Sequence, residues 1–250
     1  MKKNKRALLL IGIVLCVAVF VYSGFLLARY YFDSNAAVAE QNSEQQYDPK
    51  LNPPAELSSG NSMPNPSIAQ LKTKEPDAIC WLTIPGTKID YPVVLGADDE
   101  YYIDHSAEKK PSVYGAIFMN YLNSADFSDF NTIIFGHNMK NGSMFQALVK
   151  FKDKSFWDSH QEGTLYTEDK TYKLQIFACG VVDGGGESYD TAFSSQGQEQ
   201  EFLDYVKSSA MYYRDIGVTT QDHLLTLSTC SYEHANARTV IVAKLVEQMS

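Results

Sequence analysis

The sequence is short of basic residues, and this shortage limits its possible partners. The 250-residue chain has 21 Lys and Arg against 30 Asp and Glu, and from Ser34 onward the counts are 16 and 29. Nucleic-acid affinity comes largely from Lys and Arg side chains that replace counterions along the phosphates, so we expect no nucleic-acid partner. No internal repeat is visible, and the length favours one domain with appendages over several large domains.

Cysteine is also scarce, since the chain has four. Cys80 and Cys179 lie within apolar strand patterns, where a buried thiol behaves as a small hydrophobic side chain, and a disulfide between them is the alternative. Cys16 lies in a long apolar run, whereas Cys230 ends a strand pattern and is followed by Ser, Tyr, Glu and His. A thiol at a strand end, beside a loop, is placed to meet a substrate.

Charge is absent from residues 7–28, ALLLIGIVLCVAVFVYSGFLLA. As a helix these 22 residues span roughly 33 Å, more than a hydrocarbon core of about 30 Å. The basic residues before them predict a transmembrane signal-anchor helix in the cell membrane, with a cytoplasmic tail at 1–6 and the rest of the chain extracellular. The alternatives are a cleaved signal peptide, with Ala37-Val38-Ala39 as its cleavage site, and a buried helix of a soluble protein.

The polar segment 29–75 holds five of the nine prolines. Proline stiffens a chain and interrupts helices, so this segment predicts an extracellular stalk with short helices around 36–46 and 67–74. The stalk would hold residues 76–250 away from the membrane surface.

Residues 76–250 consist of short β-rich runs separated by turn residues, which favours an all-β barrel or sandwich. The eight predicted strands are 79–84, 91–95, 116–120, 132–135, 164–168, 172–182, 223–229 and 238–246. Two helices are predicted between them, one over 143–151 with Ser143 as its N-cap and one over 199–213. The Gly184-Gly185-Gly186 run predicts a mobile loop ahead of the second helix.

A nucleophilic thiol needs a base or a cationic neighbour, because little of it is thiolate at neutral pH. His137 follows the apolar strand 132–135 and Gly136, so its ring is expected at the barrel rim. The histidines in polar surroundings, with no partner visible in the sequence, are His105, His160 and His223. His234 is the rival to His137, although a strand end followed by a loop lacks the helical geometry that brings residues i and i+4 together.

Arg238 opens the last predicted strand, eight residues after Cys230. If the last two strands are neighbours joined by the loop 231–237, the guanidinium comes close to the thiol. Acyl transfer needs a donor at the developing oxyanion, and arginine offers five donors and a permanent charge. The alternative role for Arg238 is a strand-edge charge that limits aggregation.

Three features resemble the catalytic signature of sortases, the cysteine transpeptidases of Gram-positive cell surfaces. They are Leu225-Thr226-Leu227-Ser228-Thr229-Cys230, the nearby Arg238, and Phe135-Gly136-His137-Asn138 about ninety residues earlier. The resemblance covers about residues 76–248 and is strongest to class B. It implies a mainly β fold, an eight-stranded closed barrel with a few peripheral helices. Class B members usually carry an N-terminal helical pair on the barrel, whereas the prolines here leave room for only short helices.

The resemblance also implies the chemistry. Cys230 would attack the carbonyl after the threonine of a sorting-signal peptide and form a thioester, His137 would protonate the leaving amine, and Arg238 would stabilise the oxyanion or position the motif backbone. An amine of a peptidoglycan cross-bridge, or a pilin lysine, would then resolve the thioester. The family requires no metal or organic cofactor.

The substrate-binding residues that the resemblance implies are Ser228, Ile103, Ser188 and Tyr189. Ile103 could equally be a core residue. The acidic run Asp98-Asp99-Glu100 is interpreted as a solvated loop, with a cation site as the alternative.

Two other functions stay open from the sequence. A secreted thiol protease would give hydrolysis only, although such enzymes usually place cysteine before histidine along the chain, and here the order is reversed. A non-catalytic wall-binding β-domain on a stalk would keep its function without Cys230.

Overall fold

Nine strands lie in the parts of the chain that the computed structural model describes, residues 2–51 and 66–248. They are β1 (Ala78–Thr83), β2 (Asp90–Leu95), β3 (Phe118–Met119), β4 (Asn131–Phe135), β5 (Glu162–Tyr166), β6 (Thr171–Asp183), β7 (Tyr212–Tyr213), β8 (His223–Cys230) and β9 (Ala237–Glu247). Their order is β5-β1-β2-β3-β4-β8-β9-β6, and β6 pairs again with β5. Eight strands therefore close a barrel, as predicted, and β7 adds two residues beside β6.

Strands β8 and β9 are buried on both faces over most of their length, and alternate residues belong to different cores. Leu225 and Leu227 of β8 belong to the main core inside the barrel, together with Ile241 of β9. Leu224 and Val242 lie on the opposite face and pack in a second cluster with the helix that precedes β7. Because successive residues of a strand point to opposite faces, Ser228, Cys230 and the even-numbered residues of β9 lie on the outer face of the barrel.

The helices of the described residues are α1 (Lys2–Glu44), α2 (Pro66–Lys74), α3 (Gln146–Lys150), α4 (Lys154–Ser159) and α5 (Gln196–Ser209). The prediction of Ser143 as an N-cap is wrong, because α3 begins after Phe145 and has no side-chain cap. The Ser143 hydroxyl instead donates to Asn141 Oδ1 at 2.7 Å, and Met144 adopts a positive φ of 54° that a helix excludes.

The second predicted helix is present, but it spans Gln196–Ser209 instead of residues 199–213. Ser195 caps α5 through the backbone N–H of Gln198. The helix ends at Ser209, and Tyr213 lies in β7 instead of in the helix because the chain turns back to pair with β6. The predicted extension of the helix to Tyr213 is therefore wrong.

The first helix is longer than predicted. Helix α1 runs without a break from the predicted membrane segment through the predicted short helix at 36–46, since no proline or glycine interrupts residues 29–44. It is long and apolar enough to cross a membrane, and its most apolar window, of mean hydropathy 2.7, is not buried against the rest of the protein. The stalk prolines Pro53, Pro54 and Pro64 lie outside the described residues.

The end of α1 and the short helix α2 form a helical pair on the barrel, contrary to the expectation of only short helices. Ala37 is buried in the main core, and Ser34 Oγ lies 2.7 Å from Tyr114 OH. From α2, Ile68 and Leu71 pack fully buried in a separate cluster on the outside of the barrel. The pair thus covers apolar surface that a free stalk would leave exposed.

Two buried carboxyl groups lie where this helical pair meets the barrel. Burial, with repulsion from neighbouring carboxylates, raises the pKa of Glu44 to about 8. Burial also raises the pKa of Glu75 to about 7, and neither of its carboxylate oxygens has a hydrogen-bond partner among the described residues. Both groups are therefore more easily buried as neutral acids.

We expect the packing of the helical pair to weaken as pH rises from about 4.5 to about 8. Each folded pKa lies above the unfolded value, so the native state holds more protons and loses stability as the two carboxyls ionise. The double variant Glu44→Gln, Glu75→Gln should be more stable than the parent by roughly 1–3 kcal/mol at about pH 9, measured by thermal unfolding of the detergent-solubilised protein. Glu201→Gln, at an exposed position of α5, is the control, and an unchanged pH profile in the double variant would refute the prediction.

Candidate active site

Parallel strands β4 and β8 bring two of the predicted residues side by side. The register pairs Phe135 with Ser228, and the Gly136 N–H donates to the Ser228 carbonyl at 3.2 Å. His137 lies two residues beyond Phe135, and Cys230 lies two residues beyond Ser228. Because parallel strands advance together about 4.8 Å apart, the two residues reach the same rim of the barrel as neighbours.

Three further contacts hold this rim together. Asn138 Nδ2 donates to the carbonyl of Cys230 at 2.9 Å, and Thr229 Oγ1 donates to the carbonyl of Gly136 at 2.7 Å. Gly136 has no room for a side chain, because a Cβ there would lie 2.8 Å from Phe145 Cγ. Glycine at this position therefore allows the rim to pack closely against Phe145.

Strand β9 lies next to β8 on the side opposite β4, and it brings Arg238 close to Cys230. The antiparallel register pairs Cys230 directly with Arg238. The Ser231 N–H donates to the Ala237 carbonyl at 2.9 Å, so Cys230 and Arg238 form a non-hydrogen-bonded pair. In such pairs the α-carbons are about 4.5 Å apart and the side chains share one face of the sheet. His137, just beyond the end of β4, thus lies on one side of Cys230, and Arg238 of β9 lies on the other.

The thiols differ sharply in accessibility. Cys230 is partly exposed, whereas Cys80 and Cys179 are fully buried and are not joined by a disulfide. Burial raises the pKa of Cys179 to about 12, and it raises the pKa of Cys80 well above the ordinary value. Among the thiols of the barrel, Cys230 alone combines exposure with a cationic neighbour.

The imidazole of His137 is held by the backbone of the segment before β3. Its Nε2 lies 2.7 Å from the Ile103 carbonyl oxygen. A carbonyl only accepts, so Nε2 carries a hydrogen in this arrangement. The Ile103 side chain is 45% exposed, which excludes the alternative that it is a core residue. Ile103 therefore orients the imidazole through its backbone and presents its side chain to solvent.

Ser228 and Tyr189 lie together near the thiol. Their hydroxyl oxygens lie 2.7 Å apart, and the Tyr189 ring stacks on Phe135 with centroids 6.0 Å apart. Burial raises the pKa of Tyr189, while its hydrogen bond with Ser228 and the charge of Arg238 oppose the shift. The phenol is therefore neutral and close to the cationic end of the site.

Ser188 differs from the other three predicted substrate-binding residues. It is buried, and its hydroxyl donates to Tyr205 OH of α5 at 3.4 Å. The side chain thus attaches the segment before α5 to the helix. Only Tyr189, the next residue, turns toward the thiol.

The remaining histidines are engaged elsewhere. His234, the rival to His137, lies 3.1 Å from Asp183 Oδ1 on the surface. His105 stacks on Tyr101, and His160 stacks on Phe156. The ring of His223 contacts the carbonyl of Asp129. None of these contacts directs an imidazole to Cys230.

The loop that joins β8 to β9 is anchored on both sides by residues that the sequence analysis missed. Glu233 forms an ion pair with Lys152, which lowers the pKa of Glu233 to about 2. On the other side, Asn236 Nδ2 donates to the Gly184 carbonyl at 2.7 Å. Asn236 has a positive φ of 61°, a conformation in which asparagine is enriched.

The carboxylates of Asp98 and Asp99 accept hydrogen bonds from nearby groups of the chain. Asp98 Oδ1 accepts from the backbone N–H groups of Glu100 and Tyr101, and Asp99 accepts from Asn120 and Tyr121. Within residues 2–51 and 66–248, no group of three or more His, Cys, Asp and Glu side chains could hold a metal ion.

Known proteins resemble this chain in sequence and in fold. Residues 82–246 match the family model described as the sortase domain. Sortase B of Listeria monocytogenes is 36% identical over 181 residues, which cover 72% of this chain and 74% of the relative. The crystal structure of sortase B from Bacillus anthracis in complex with AAEK1 has a TM-score of 0.76 at 30% identity, over 87% of this chain and 100% of that chain. The sortase B–substrate complex of Staphylococcus aureus has a TM-score of 0.77 at 27% identity, over 86% of this chain and 99% of that chain.

The chain therefore belongs to the sortase family, whose members are cysteine transpeptidases. Its relatives in sequence and in structure are class B sortases, which confirms the class suggested by the motif around Cys230.

Proposed function

We propose that this protein cleaves a C-terminal sorting motif in secreted proteins and transfers the acyl group to an amine of peptidoglycan or of a pilin. The observation that carries the proposal is that the neighbouring strands β4, β8 and β9 bring His137, Cys230 and Arg238, all partly exposed, to one rim of the barrel. A thiol with an imidazole on one side and a guanidinium on the other has the groups that acyl transfer needs.

In the proposed reaction, the thiolate of Cys230 attacks the carbonyl carbon of the motif threonine. The C–N bond breaks, His137 gives a proton to the leaving amine, and a thioester remains on Cys230. The incoming amine then attacks the thioester, His137 takes up its proton, and the thiolate is released. Arg238 donates hydrogen bonds to the oxyanion in both steps, or holds the motif backbone.

The hydrogen bond from His137 to Ile103 defines which ring nitrogen exchanges the proton. With Nε2–H held on the Ile103 carbonyl, Nδ1 is the nitrogen that remains for proton transfer. This arrangement supports His137 as the acid of the first step.

The motif peptide would lie along the groove beside the thiol. Ser228 and Tyr189 form one wall, and the exposed side chain of Ile103 lies on the side of His137. The structure of the Staphylococcus aureus relative with a substrate shows that a member of this class holds substrate. Ser188 contributes to the groove by fixing Tyr189 from behind.

The location of the reaction follows from the proposed membrane topology. We place residues 1–6 in the cytoplasm, residues 7–28 in the cell membrane, residues 29–75 outside as the connection, and residues 76–250 outside as the catalytic barrel. Helix α1 is long enough to pass from the membrane directly onto the barrel, and sortases are typically cell-surface enzymes. The barrel would then work close to the membrane, where secreted proteins emerge.

The test is an amine-dependence experiment. The detergent-solubilised protein is incubated with a library of peptides carrying C-terminal pentapeptide motifs, with and without a glycine or diaminopimelate-type amine, and the products are read by mass. We expect an amide product that contains the donor fragment and the amine. Hydrolysis alone under both conditions would favour a thiol protease, and no cleavage would leave a wall-binding domain as the better account.

Removal of the Tyr189 hydroxyl tests whether the proposed groove binds the motif peptide. Tyr189→Phe removes the hydrogen bond to Ser228, so we expect KM for the motif peptide to rise by roughly 2- to 10-fold with little change in kcat. Tyr232→Phe, on the exposed β8–β9 loop, is the matched control. If kcat falls while KM stays constant, the hydroxyl acts in the chemical step and not in binding.

A further inference from the structure

Two loops meet beside Arg238, the glycine run after β6 and the connection from β8 to β9. The Gly184 N–H donates to the Asn236 carbonyl at 3.0 Å, and Asn236 Nδ2 donates to the Gly184 carbonyl at 2.7 Å. This reciprocal pair fixes the position of Gly184 relative to the start of β9. Arg238 itself is paired with Val182 across the sheet, two residues before Gly184.

The guanidinium of Arg238 lies directly against Gly184. A Cβ built on Gly184 would be 3.1 Å from Arg238 Cζ, 3.2 Å from its Nε and 3.0 Å from Asn236 Oδ1, all closer than ordinary van der Waals contact. The backbone of Gly184 does not have the positive φ that favours glycine, whereas Gly185 does, with φ 121°. The requirement for glycine at 184 is therefore one of space and not of backbone conformation.

The atoms that a side chain at 184 would displace are movable. The end of an arginine side chain and an exposed asparagine oxygen can each shift by a few tenths of an ångström at little cost to the fold. An oxyanion contact cannot tolerate this, because donors must be 2.7–3.1 Å from the position of the developing charge. A substitution at 184 would therefore disturb the position of the guanidinium before it disturbs stability.

We propose that Gly184 is a positioning residue for Arg238: because Gly184 has no side chain, it leaves the space that the guanidinium occupies next to the strand pair of Cys230 and Arg238. This inference rests on the proposed role of Arg238 in acyl transfer. It assigns to the glycine run a steric function in the reaction that is distinct from loop mobility.

The experiment compares Gly184→Ala with Gly186→Ala in the full-length, detergent-solubilised protein. A Cβ at Gly186 would lie 3.5 Å from the Asp183 carbonyl oxygen and 4.0 Å from Tyr205 OH, so alanine fits there. We expect Gly184→Ala to lower the rate of thioester formation at saturating peptide at least tenfold, with KM within about twofold of the parent. We expect Gly186→Ala to remain within about twofold in both, and the melting temperature of both variants to stay near that of the parent.

A double-mutant cycle with Arg238→Ala separates positioning from a general structural effect. If Gly184 acts through the guanidinium, Gly184→Ala should cost less than about twofold in the Arg238→Ala background. An equal loss in both backgrounds, or equal losses in the two glycine variants, would overturn the inference. So would near-normal acylation by Gly184→Ala. If Arg238→Ala alone retains full activity, the proposed role of Arg238 fails instead, which keeps the two conclusions distinguishable.

Discussion

Replacement of Cys230 by alanine is expected to abolish thioester formation and to lower transpeptidation roughly 10⁴-fold or more, with the barrel still folded. The nucleophile has no substitute, because Cys80 and Cys179 are sealed in the core with raised pKa values. Loss of a covalent nucleophile typically removes nearly all of the catalysed rate. The measurement is the intact mass of the protein after incubation with a motif peptide, together with the rate of peptide cleavage.

The fold should survive this substitution, because the rim is held by backbone groups and not by the thiol. Asn138 donates to the carbonyl of residue 230, and Ser231 continues the pairing with Ala237. The thiol lies on the outer face, so its removal leaves no cavity in the core. Cys16→Ala, an exposed position of α1, is the control and should retain activity. Cleavage of the motif peptide by the Cys230→Ala variant would disprove the assignment.

The strands and the pairing of Cys230 with Arg238 were predictable from local patterns. All eight predicted strands overlap strands of the barrel, because apolar alternation and turn residues mark them. A seven-residue connection between consecutive strands leaves few ways to join them other than as antiparallel neighbours. The proximity of Cys230 and Arg238 follows from that pairing alone.

The placement of His137 was not predictable in this way. Strands β4 and β8 are parallel and separated by almost ninety residues, and no local pattern specifies that pairing. The prediction that His137 lies close to Cys230 came from the resemblance of the motifs to a known family. The hydrogen bond from His137 to Ile103 depends on a third segment, so even the correct motifs gave no sign of it.

Errors in the helices have a common physical origin. Ser143 has the right residue type for an N-cap, but Asn141 takes its hydroxyl, and Tyr213 has helical spacing but pairs with β6. In both cases a competing contact decided the position: the contact with Asn141 is local, whereas the pairing with β6 is tertiary and leaves no mark on a window of sequence. The anchors of the β8–β9 loop, Glu233 and Asn236, were missed for the same reason.

Arg238→Lys is expected to lower kcat/KM for the motif peptide by at least about a hundredfold. Lysine keeps the positive charge but loses the planar, multiple-donor geometry, and the loss of one oxyanion donor typically costs about 10²–10³ in rate. Because the charge is retained, the variant tests geometry separately from electrostatic attraction. Steady-state kinetics of cleavage, with Arg29→Lys on the exposed surface of α1 as the control, measure the effect.

The division of that loss between kcat and KM decides between the two roles proposed for Arg238. An oxyanion contact exists only in the transition state, so its loss lowers kcat and leaves KM nearly constant. A contact to the backbone of the bound motif exists in the ground state as well, so its loss raises KM. Because Arg238 is paired directly with Cys230, at about 4.5 Å between α-carbons, we expect the first result. Near-normal values of both constants would assign the oxyanion contact to another donor at the rim.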